Sequence, residues 1–235
     1  MNYQAILIAV LITLIVMLVV SSPAMTLLLF LFLVAFYWAV SRGIEYLNEQ
    51  IIAQFAALNH QLNVSLTVPP RKTFNLEWAF PSLKGHYLGR QIDIVTTSVN
   101  IGGVAVPHTM ITLDALHYGN TFEIKSENWI TFVKKFWGKQ DILTGDKNFD
   151  SRFYITSNSP NFMKQLLDAD IRDIMNREAF LQMGKFTLKE SQLKYEEQVV
   201  INTDNDRERI EKIILIMYMM AKRMEYMRAK KGIFG

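Results

Sequence analysis

The first part of the chain is an apolar run with no Lys, Arg, Asp or Glu before Arg42. Ser21, Ser22 and Pro23 interrupt the run, and residues 3–20 and 24–40 on either side each approach the roughly 20 apolar residues that a membrane-spanning helix needs. The pattern predicts a hairpin of two transmembrane helices over residues 1–42. Because neither span contains an acidic or basic residue, an anchor is favoured over an ion path.

A helical pattern of apolar positions continues beyond the second span. The residues that recur at intervals of three or four are Ile44, Leu47, Ile51, Phe55, Leu58 and Leu62. Val68, Pro69 and Pro70 then end helical structure, since proline has no amide hydrogen and restricts the residue before it. We expect an amphipathic connecting helix over residues 43–66 and one further domain over residues 67–235.

The hydrophobic period then changes to two, which is typical of strands. Short strands are predicted at residues 91–97, 109–113 and 122–125, with turn residues between them, including Gly102, Gly103, Gly119 and Gly145. Short connections of this kind join neighbouring antiparallel strands. The central part of the chain is therefore predicted to be an antiparallel meander.

The remaining third of the chain alternates between helix and strand patterns. Ser159 and Pro160 form a helix start, with an apolar stripe that runs on toward Gly184. Strands are predicted at 185–189, 192–196 and 199–202, and a last helix at 204–230 with Thr203 and Asp206 as its capping pair. The order of the predicted helices and strands along the chain indicates an α+β fold, in which an antiparallel sheet domain with packed helices follows the transmembrane hairpin.

The centre of the last helix is apolar on nearly every side. Lys212 and Lys222 bracket only nine residues there, which is too short a stretch to cross a bilayer. We expect this methionine-rich segment to pack on the sheet, with its other side against the connecting helix or another subunit. Methionine is frequent both at adaptable interfaces and as core filler, so both roles stay open.

Composition narrows the function classes. The sequence has no cysteine, which excludes disulfides, thiolate catalysis and iron–sulfur clusters. The net charge of +3 is spread along the chain without a basic stripe, so nucleic acid is not expected as a partner. The second span is followed by the basic residues Arg42, Arg71 and Lys72. By the positive-inside rule, we expect the domain and both termini on the cytoplasmic side of the membrane, which we expect to be a bacterial inner membrane.

Two basic segments are candidates for contact with lipid. The first interleaves indoles with ammonium groups, and its candidate residues are Trp129, Lys134, Lys135, Trp137 and Lys139. The second is the carboxy-terminal tail, with candidates Lys222, Arg223, Arg228, Lys230 and Lys231. The alternatives are a strand or loop whose aromatic side chains enter the core, and cations that interact with a helix carboxyl terminus.

One polar group is a candidate for chemistry, and it comprises His108, Asp146, Asp150 and Arg152. The alternative is turn scaffolding, because polar residues around a turn commonly cap backbone groups. The aspartate spacing is not that of a calcium loop, and the histidines lack ligand spacing, so no metal or cofactor is predicted. Since no nucleophile-elbow, phosphate-loop or dinucleotide motif occurs, there is no positive reason to propose an enzyme.

Two stretches, 85–94 and 144–155 with the Ser159 helix start after them, resemble a loose group of uncharacterised bacterial proteins. These proteins join one or two membrane spans to a cytoplasmic domain of unknown function, and the resemblance covers residues 74–224. It implies a membrane-anchored domain and carries no activity. In physical terms the glycines of both stretches suit turns, and Phe149 and Phe153 suit a core.

The sequence thus predicts a membrane-tethered cytoplasmic module for binding or assembly, in contact with a protein partner, a second copy or the inner leaflet. One alternative is an accessory subunit of a larger membrane or transport complex. A second alternative is a membrane-bound enzyme that uses the polar group of His108, Asp146, Asp150 and Arg152.

Overall fold

A computed structural model describes residues 23–70, 80–101, 104–126, 142–178 and 184–233. For residues 101, 104, 105 and 230–233 it describes the backbone only. The chain divides into two units, Met1–Leu47 with Lys72–Trp78, and Asn48–Arg71 with Ala79–Gly235. The first predicted span, residues 3–20, lies outside the described residues, so the hairpin stays a prediction.

The first described element is a long helix, α1, over Pro23–Leu62. Its amino-terminal part, in the first unit, is the single segment among the described residues that is long and apolar enough to cross a membrane, and none of that window is buried. A signal sequence near an amino terminus meets the same criteria of length and composition. Large side chains there, such as Phe32 and Trp38, are about two-thirds exposed, at 64% and 63%.

Residues 48–62 of α1 belong to the second unit and show a different pattern of burial. Their buried side chains are Asn48, Ile51, Phe55, Leu58 and Leu62. Intervals of three and four residues place these side chains on one face of a helix. The helix ends at Leu62, short of the predicted residue 66, because Asn63 takes a left-handed conformation (φ 52°) and the chain turns into a strand.

The second unit is an α+β domain built on one eight-stranded sheet, and this confirms the predicted fold class. The strands are β1 (Ser65–Thr67), β2 (Ser82–Tyr87), β3 (Arg90–Ile101), β4 (Val104–Asp114), β5 (Phe122–Ser126), β6 (Phe153–Ser157), β7 (Gly184–Lys189) and β8 (Gln192–Glu197). Their order is β1-β2-β3-β4-β8-β7-β5-β6, and every neighbouring pair is antiparallel. The late hairpin β7–β8 therefore inserts between β4 and β5.

Four helices follow among the described residues of the domain, namely α2 (Lys147–Asp150), α3 (Pro160–Leu166), α4 (Ala169–Arg177) and α5 (Asp204–Ile233). Ser159 caps α3 through its hydroxyl, and Thr203 and Asp206 bond each other at the start of α5, as predicted. The single helix expected after Ser159 is instead two, because Asp168 starts α4 with its own cap. Residues 199–202 are not a strand.

The core lies between one face of the sheet and the helices. Strand side chains alternate, so Ile94, Ile111 and Leu193 are at most 1% exposed while their sequence neighbours stay partly accessible. Phe55 of α1 and Met217 of α5 belong to the same buried cluster. The part of α1 beyond Asn48 is thus a core element of the domain.

We predict that Phe55→Ala lowers the free energy of unfolding by about 3–5 kcal/mol, because the substitution leaves a cavity in the core. Gln61→Ala, at an exposed position of the same helix, should change it by less than about 0.5 kcal/mol. Urea unfolding of the full chain in detergent micelles, followed by circular dichroism, measures both. Equal effects would contradict the packing of α1 in the core.

Candidate functional site

Polar side chains lie at the end of the sheet where β8 finishes. Thr96, Thr109 and Glu197 are 6%, 0% and 1% exposed. They occupy opposite positions on β3, β4 and β8, since Thr96 pairs with Thr109 and Thr109 with Glu197. Gly184 of β7 continues the same row as the partner of Glu197. The domain therefore buries a polar row at one end of an apolar sheet face.

Glu197 is the centre of a hydrogen-bonded network within this row. Its Oε2 accepts from Nη1 of Arg209 at 2.8 Å and from the hydroxyl of Tyr195 at 3.0 Å. Nη2 of Arg209 donates to Oδ1 of Asp206 at 2.9 Å. Asp206 in turn caps α5 together with Thr203. The network joins the last residue of β8 to the first turns of α5.

Burial controls the protonation of this network. It raises the pKa of Glu197, and the nearby Asp206 carboxylate raises it further, against the opposing effects of Arg209 and Tyr195. Burial and the Glu197 carboxylate likewise raise the pKa of Tyr195 well above its ordinary value. Oε1 of Glu197 has no hydrogen-bond partner among the described residues. The carboxyl group is thus placed to retain a proton at a higher pH than an exposed glutamate.

The absence of a side chain at Gly184 is part of the same arrangement. A Cβ atom there would lie 2.4 Å from both Cζ and Oη of Tyr195, and 2.7 Å from the carbonyl oxygen of Glu196. No real side chain tolerates such distances. Gly184 therefore lets the Tyr195 ring cross β7 and bring its hydroxyl to Glu197.

A cavity of about 90 Å³ lies at the same end of the sheet, with His108, Lys125, Lys185, Glu196 and Gln198 among its lining residues. Nζ of Lys185 and Nζ of Lys194 contact Glu196 at 2.8 and 2.5 Å. Burial raises the pKa of Glu196, but the hydrogen bonds and positive charges of these two lysines together lower it by more, so the net shift is downward. Glu196 is therefore held as a carboxylate.

The four residues of the predicted polar group do not form one site among the described contacts. Asp146 caps α2, accepting from the amides of Asn148 and Phe149 at 3.1 and 3.2 Å. Asp150 accepts from the amide and hydroxyl of Thr144 at 2.9 and 2.7 Å. Both aspartates thus organise the same turn, since the helix that Asp146 caps contains Asp150.

Arg152 and His108 have other surroundings. Arg152 donates to the carbonyl oxygens of Asn176 and Glu178, where it covers the carboxyl end of α4. His108 lies on β4 and lines the 90 Å³ cavity described above. In the described part of the chain, no three His, Asp or Glu side chains are arranged to hold a metal ion.

Only some of the candidate membrane-contact residues have described side chains. Trp129, Lys134, Lys135, Trp137 and Lys139 lie outside the described residues, and Lys230 and Lys231 lie on α5 without described side chains. Lys222 is exposed.

Arg223 and Arg228, the two arginines of the carboxy-terminal tail, contact other residues of the domain. Nε of Arg223 lies 3.2 Å from a carboxylate oxygen of Asp168, and the guanidinium of Arg228 lies 5.0 Å from the ring centroid of Tyr118. Both contacts hold α5 against other elements of the domain.

Sequence reasoning missed Glu197, Arg209 and Tyr195. The predicted strand 192–196 ended one residue short of Glu197. One signal was present: Leu193, Tyr195 and Glu197 share one face of a strand, so a carboxylate continues an apolar row. Its partner Arg209 is 12 residues away, beyond a connection whose path the sequence pattern does not reveal.

The fold and the network define a class of protein: an α+β domain on an eight-stranded antiparallel sheet, joined to a helix long and apolar enough to cross a membrane. No protein-family model matches the sequence, and no curated protein matches it.

Among solved structures, the crystal structure of the mycobacterial trehalose monomycolate transport factor A, TtfA, is similar, with a TM-score of 0.47 and 12% sequence identity. The match covers 76% of this chain and 94% of that one. A similarity at this level carries no conclusion about function.

We predict that Glu197 makes stability depend on pH. Its pKa is raised in the folded state, so its contribution is fully present below the unfolded pKa of about 4.3 and is lost as pH rises through the folded value. The difference in unfolding free energy between the natural chain and Glu197→Gln should therefore move in favour of the natural chain as pH falls.

Urea unfolding of the full chains in micelles between about pH 4 and 8 measures this difference, over the range where carboxyl groups titrate. Glu208→Gln, at an exposed position on α5, is the matched control and should track the natural chain. A pH-independent difference for Glu197→Gln would show that burial does not raise its pKa.

Proposed function

We propose that the protein is a membrane-tethered binding or assembly module whose α+β domain and both termini lie in the cytoplasm. The observation that carries the proposal is the amino-terminal part of α1, a window of mean hydropathy 2.2 with no buried residues. Water solvates such a surface poorly, and each large apolar side chain moved into lipid contributes about 1.5–3 kcal/mol. A bilayer is the environment that suits it.

The carboxy-terminal part of α1 favours a membrane anchor over a signal peptide that is removed. A signal peptide is cut after its apolar segment, at a small-residue site. Here the helix continues to Leu62, and Ile51, Phe55 and Leu58 are fully buried in the domain core. The apolar segment and the core thus share one uninterrupted helix.

Charge supports the proposed orientation. Arg42 is the first charged residue after the apolar segment, and its guanidinium bonds Glu45 at 2.8 Å and lies 5.9 Å from the Trp38 ring centroid. Indoles occur at both boundaries of a membrane, whereas a cation that follows a span is typical of the cytoplasmic side. The rule favours a cytoplasmic location for the domain.

The described polar groups favour binding over catalysis. Asp146, Asp150 and Arg152 cap turns and helix ends, and Glu197 is bound to Arg209 inside the core. Met217 and Met220 are fully buried, so much of the methionine-rich helix fills the core. Contact through the domain surface is then the role that the arrangement supports best.

We predict that the full chain remains in the membrane pellet after an alkaline carbonate wash, because its apolar segment is in lipid. A chain that begins at Arg42 keeps the core part of α1 and should appear in the soluble fraction with unchanged circular dichroism per residue. Release of the full chain by carbonate would contradict the anchor. Retention of the folded short chain would locate membrane contact in the domain.

Orientation has a separate test, which the cysteine-free sequence simplifies. Gln165→Cys places one thiol at an exposed position of α3. A membrane-impermeant maleimide should label it in inside-out vesicles and leave it unlabelled in intact spheroplasts. The opposite labelling would place the domain outside the cytoplasm.

The binding role itself is tested by purification in mild detergent followed by size measurement. A binding or assembly module should elute as a homo-oligomer or with a stoichiometric second protein, and a multi-span companion would favour the accessory-subunit alternative. A clean monomer at all concentrations would contradict the proposal.

A further inference from the structure

Two carboxylates share one guanidinium where β8 meets α5. Nη1 of Arg209 donates to Oε2 of Glu197, and Nη2 donates to Oδ1 of Asp206. The side chains of Glu197 and Arg209 are 0% and 8% exposed, and that of Asp206 is 20% exposed. We call these three residues the β8–α5 triad. When both carboxylates are ionised, the triad has one more negative than positive charge in a place that water scarcely reaches.

The lysines nearest to the triad are engaged with other carboxylates. The cavity at this end of the sheet, which Glu197 also lines, includes Lys125 of β5 and Lys185 of β7. Nζ of Lys125 lies 2.5 Å from a carboxylate oxygen of Glu123, and Nζ of Lys185 lies 2.8 Å from one of Glu196. Among the described contacts, neither lysine bonds the triad, so its excess charge is not balanced by them.

Two further titratable groups, His108 and Tyr195, lie close to Glu197. His108 of β4 lines the same cavity, and no described hydrogen bond or ion pair joins it to the triad. Tyr195 donates its hydroxyl to Glu197 at 3.0 Å, and burial together with the Glu197 carboxylate raises the pKa of that hydroxyl well above its ordinary value. Tyr195 therefore stays neutral, and a proton on Glu197 itself is the direct way to neutralise the triad.

The geometry offers one oxygen of Glu197 for that proton. Its Oε2 accepts from both Arg209 and Tyr195, whereas Oε1 has no hydrogen-bond partner among the described residues. A proton on Oε1 thus leaves both existing bonds in place. Burial raises the pKa of Glu197, and the Asp206 carboxylate raises it further, as expected where two carboxylates share one site.

The triad holds the first turns of α5 against the sheet. Asp206 and Arg209 lie in those turns, and Glu197 is the last residue of β8. The same turns also contact α1, since Nε of Arg207 donates to Oε1 of Gln54 at 3.2 Å. A change at the triad therefore acts where β8, α5 and α1 meet.

We propose that the β8–α5 triad is a pH-sensitive latch on the start of α5. With one proton bound, the triad is neutral and holds the first turns of α5 against β8. Loss of that proton as pH rises leaves an unbalanced negative charge in the core, and these turns then separate from the sheet more often. Linkage gives the same sign, because a carboxyl group whose pKa is raised in the closed state stabilises that state at low pH and loses this effect as pH rises through the raised value.

Hydrogen–deuterium exchange of the full chain in micelles tests the latch. Protection factors of the amides of residues 207–212, corrected for the intrinsic exchange rate, are measured between about pH 5 and 8. They should fall as pH rises, by up to about 10-fold for each unit by which the closed-state pKa of Glu197 exceeds its open-state value. The amides of α4 should keep their protection factors, because this helix contributes no residue to the triad.

Substitutions in the triad separate its titration from other effects of pH. Glu197→Gln replaces the titrating group by a neutral amide of similar shape, so protection of residues 207–212 should no longer depend on pH. Asp206→Asn removes the second carboxylate and keeps an oxygen that accepts hydrogen bonds at the helix start, so the fall with pH should become smaller. Glu208→Gln, exposed on α5, is the matched control and should behave as the natural chain. Unchanged circular dichroism shows that each variant is folded.

Four results would overturn the inference. The first is protection of residues 207–212 that does not change with pH in the natural chain. The second is an equal change in Glu197→Gln, which would assign the titration to another group. The third is an undiminished change in Asp206→Asn, which would show that the shared guanidinium has no part in it. The last is an equal fall in α4, since pH would then act on the whole domain and not on the start of α5.

Discussion

The domain depends on covering the single apolar face of its eight-stranded sheet. Ile94, Ile111 and Leu193 point from neighbouring strands to that face, and exposing them would cost roughly 1.5–3 kcal/mol each. Part of the cover comes from Phe55 of α1 and Met217 of α5. A helix that begins as an apolar candidate span therefore ends as a necessary part of the core. The candidate membrane span and a part of the domain core thus belong to one helix.

The same apolar face ends in the Glu197–Arg209 pair. Removing two charges from water offsets much of their attraction, so a buried pair of this kind contributes little net stability. Losing one partner is costly, however, because the other charge stays buried without compensation. The pair therefore fixes where α5 begins relative to β8, with Tyr195 and Asp206 completing the geometry. Beyond this polar end, β3 and β4 stay paired with each other as far as Ile101 and Val104.

Local chemistry was readable at two helix starts, where a signal and its partner are close in sequence. Ser159 and the Thr203–Asp206 pair cap helices as expected, because each bond spans three residues. The break before α4 was missed, since Asp168 starts a new helix within a continuous apolar stripe. The two aspartates of the candidate polar group organise a single turn, which agrees with the scaffolding alternative. Glu197 and Arg209 meet only through the path of the intervening chain.

By itself, the sequence determined the apolar segment before Arg42, the change from helical to strand periodicity, and the α+β class, because these depend on spacing within a single element. The tertiary structure decided the insertion of β7–β8 between β4 and β5, the burial of α1 beyond Asn48, and the polar row at Glu197. These features depend on which distant segments share one apolar face. Hydrophobic burial is non-directional, so the sequence pattern shows that a face must be covered and leaves its cover to the fold.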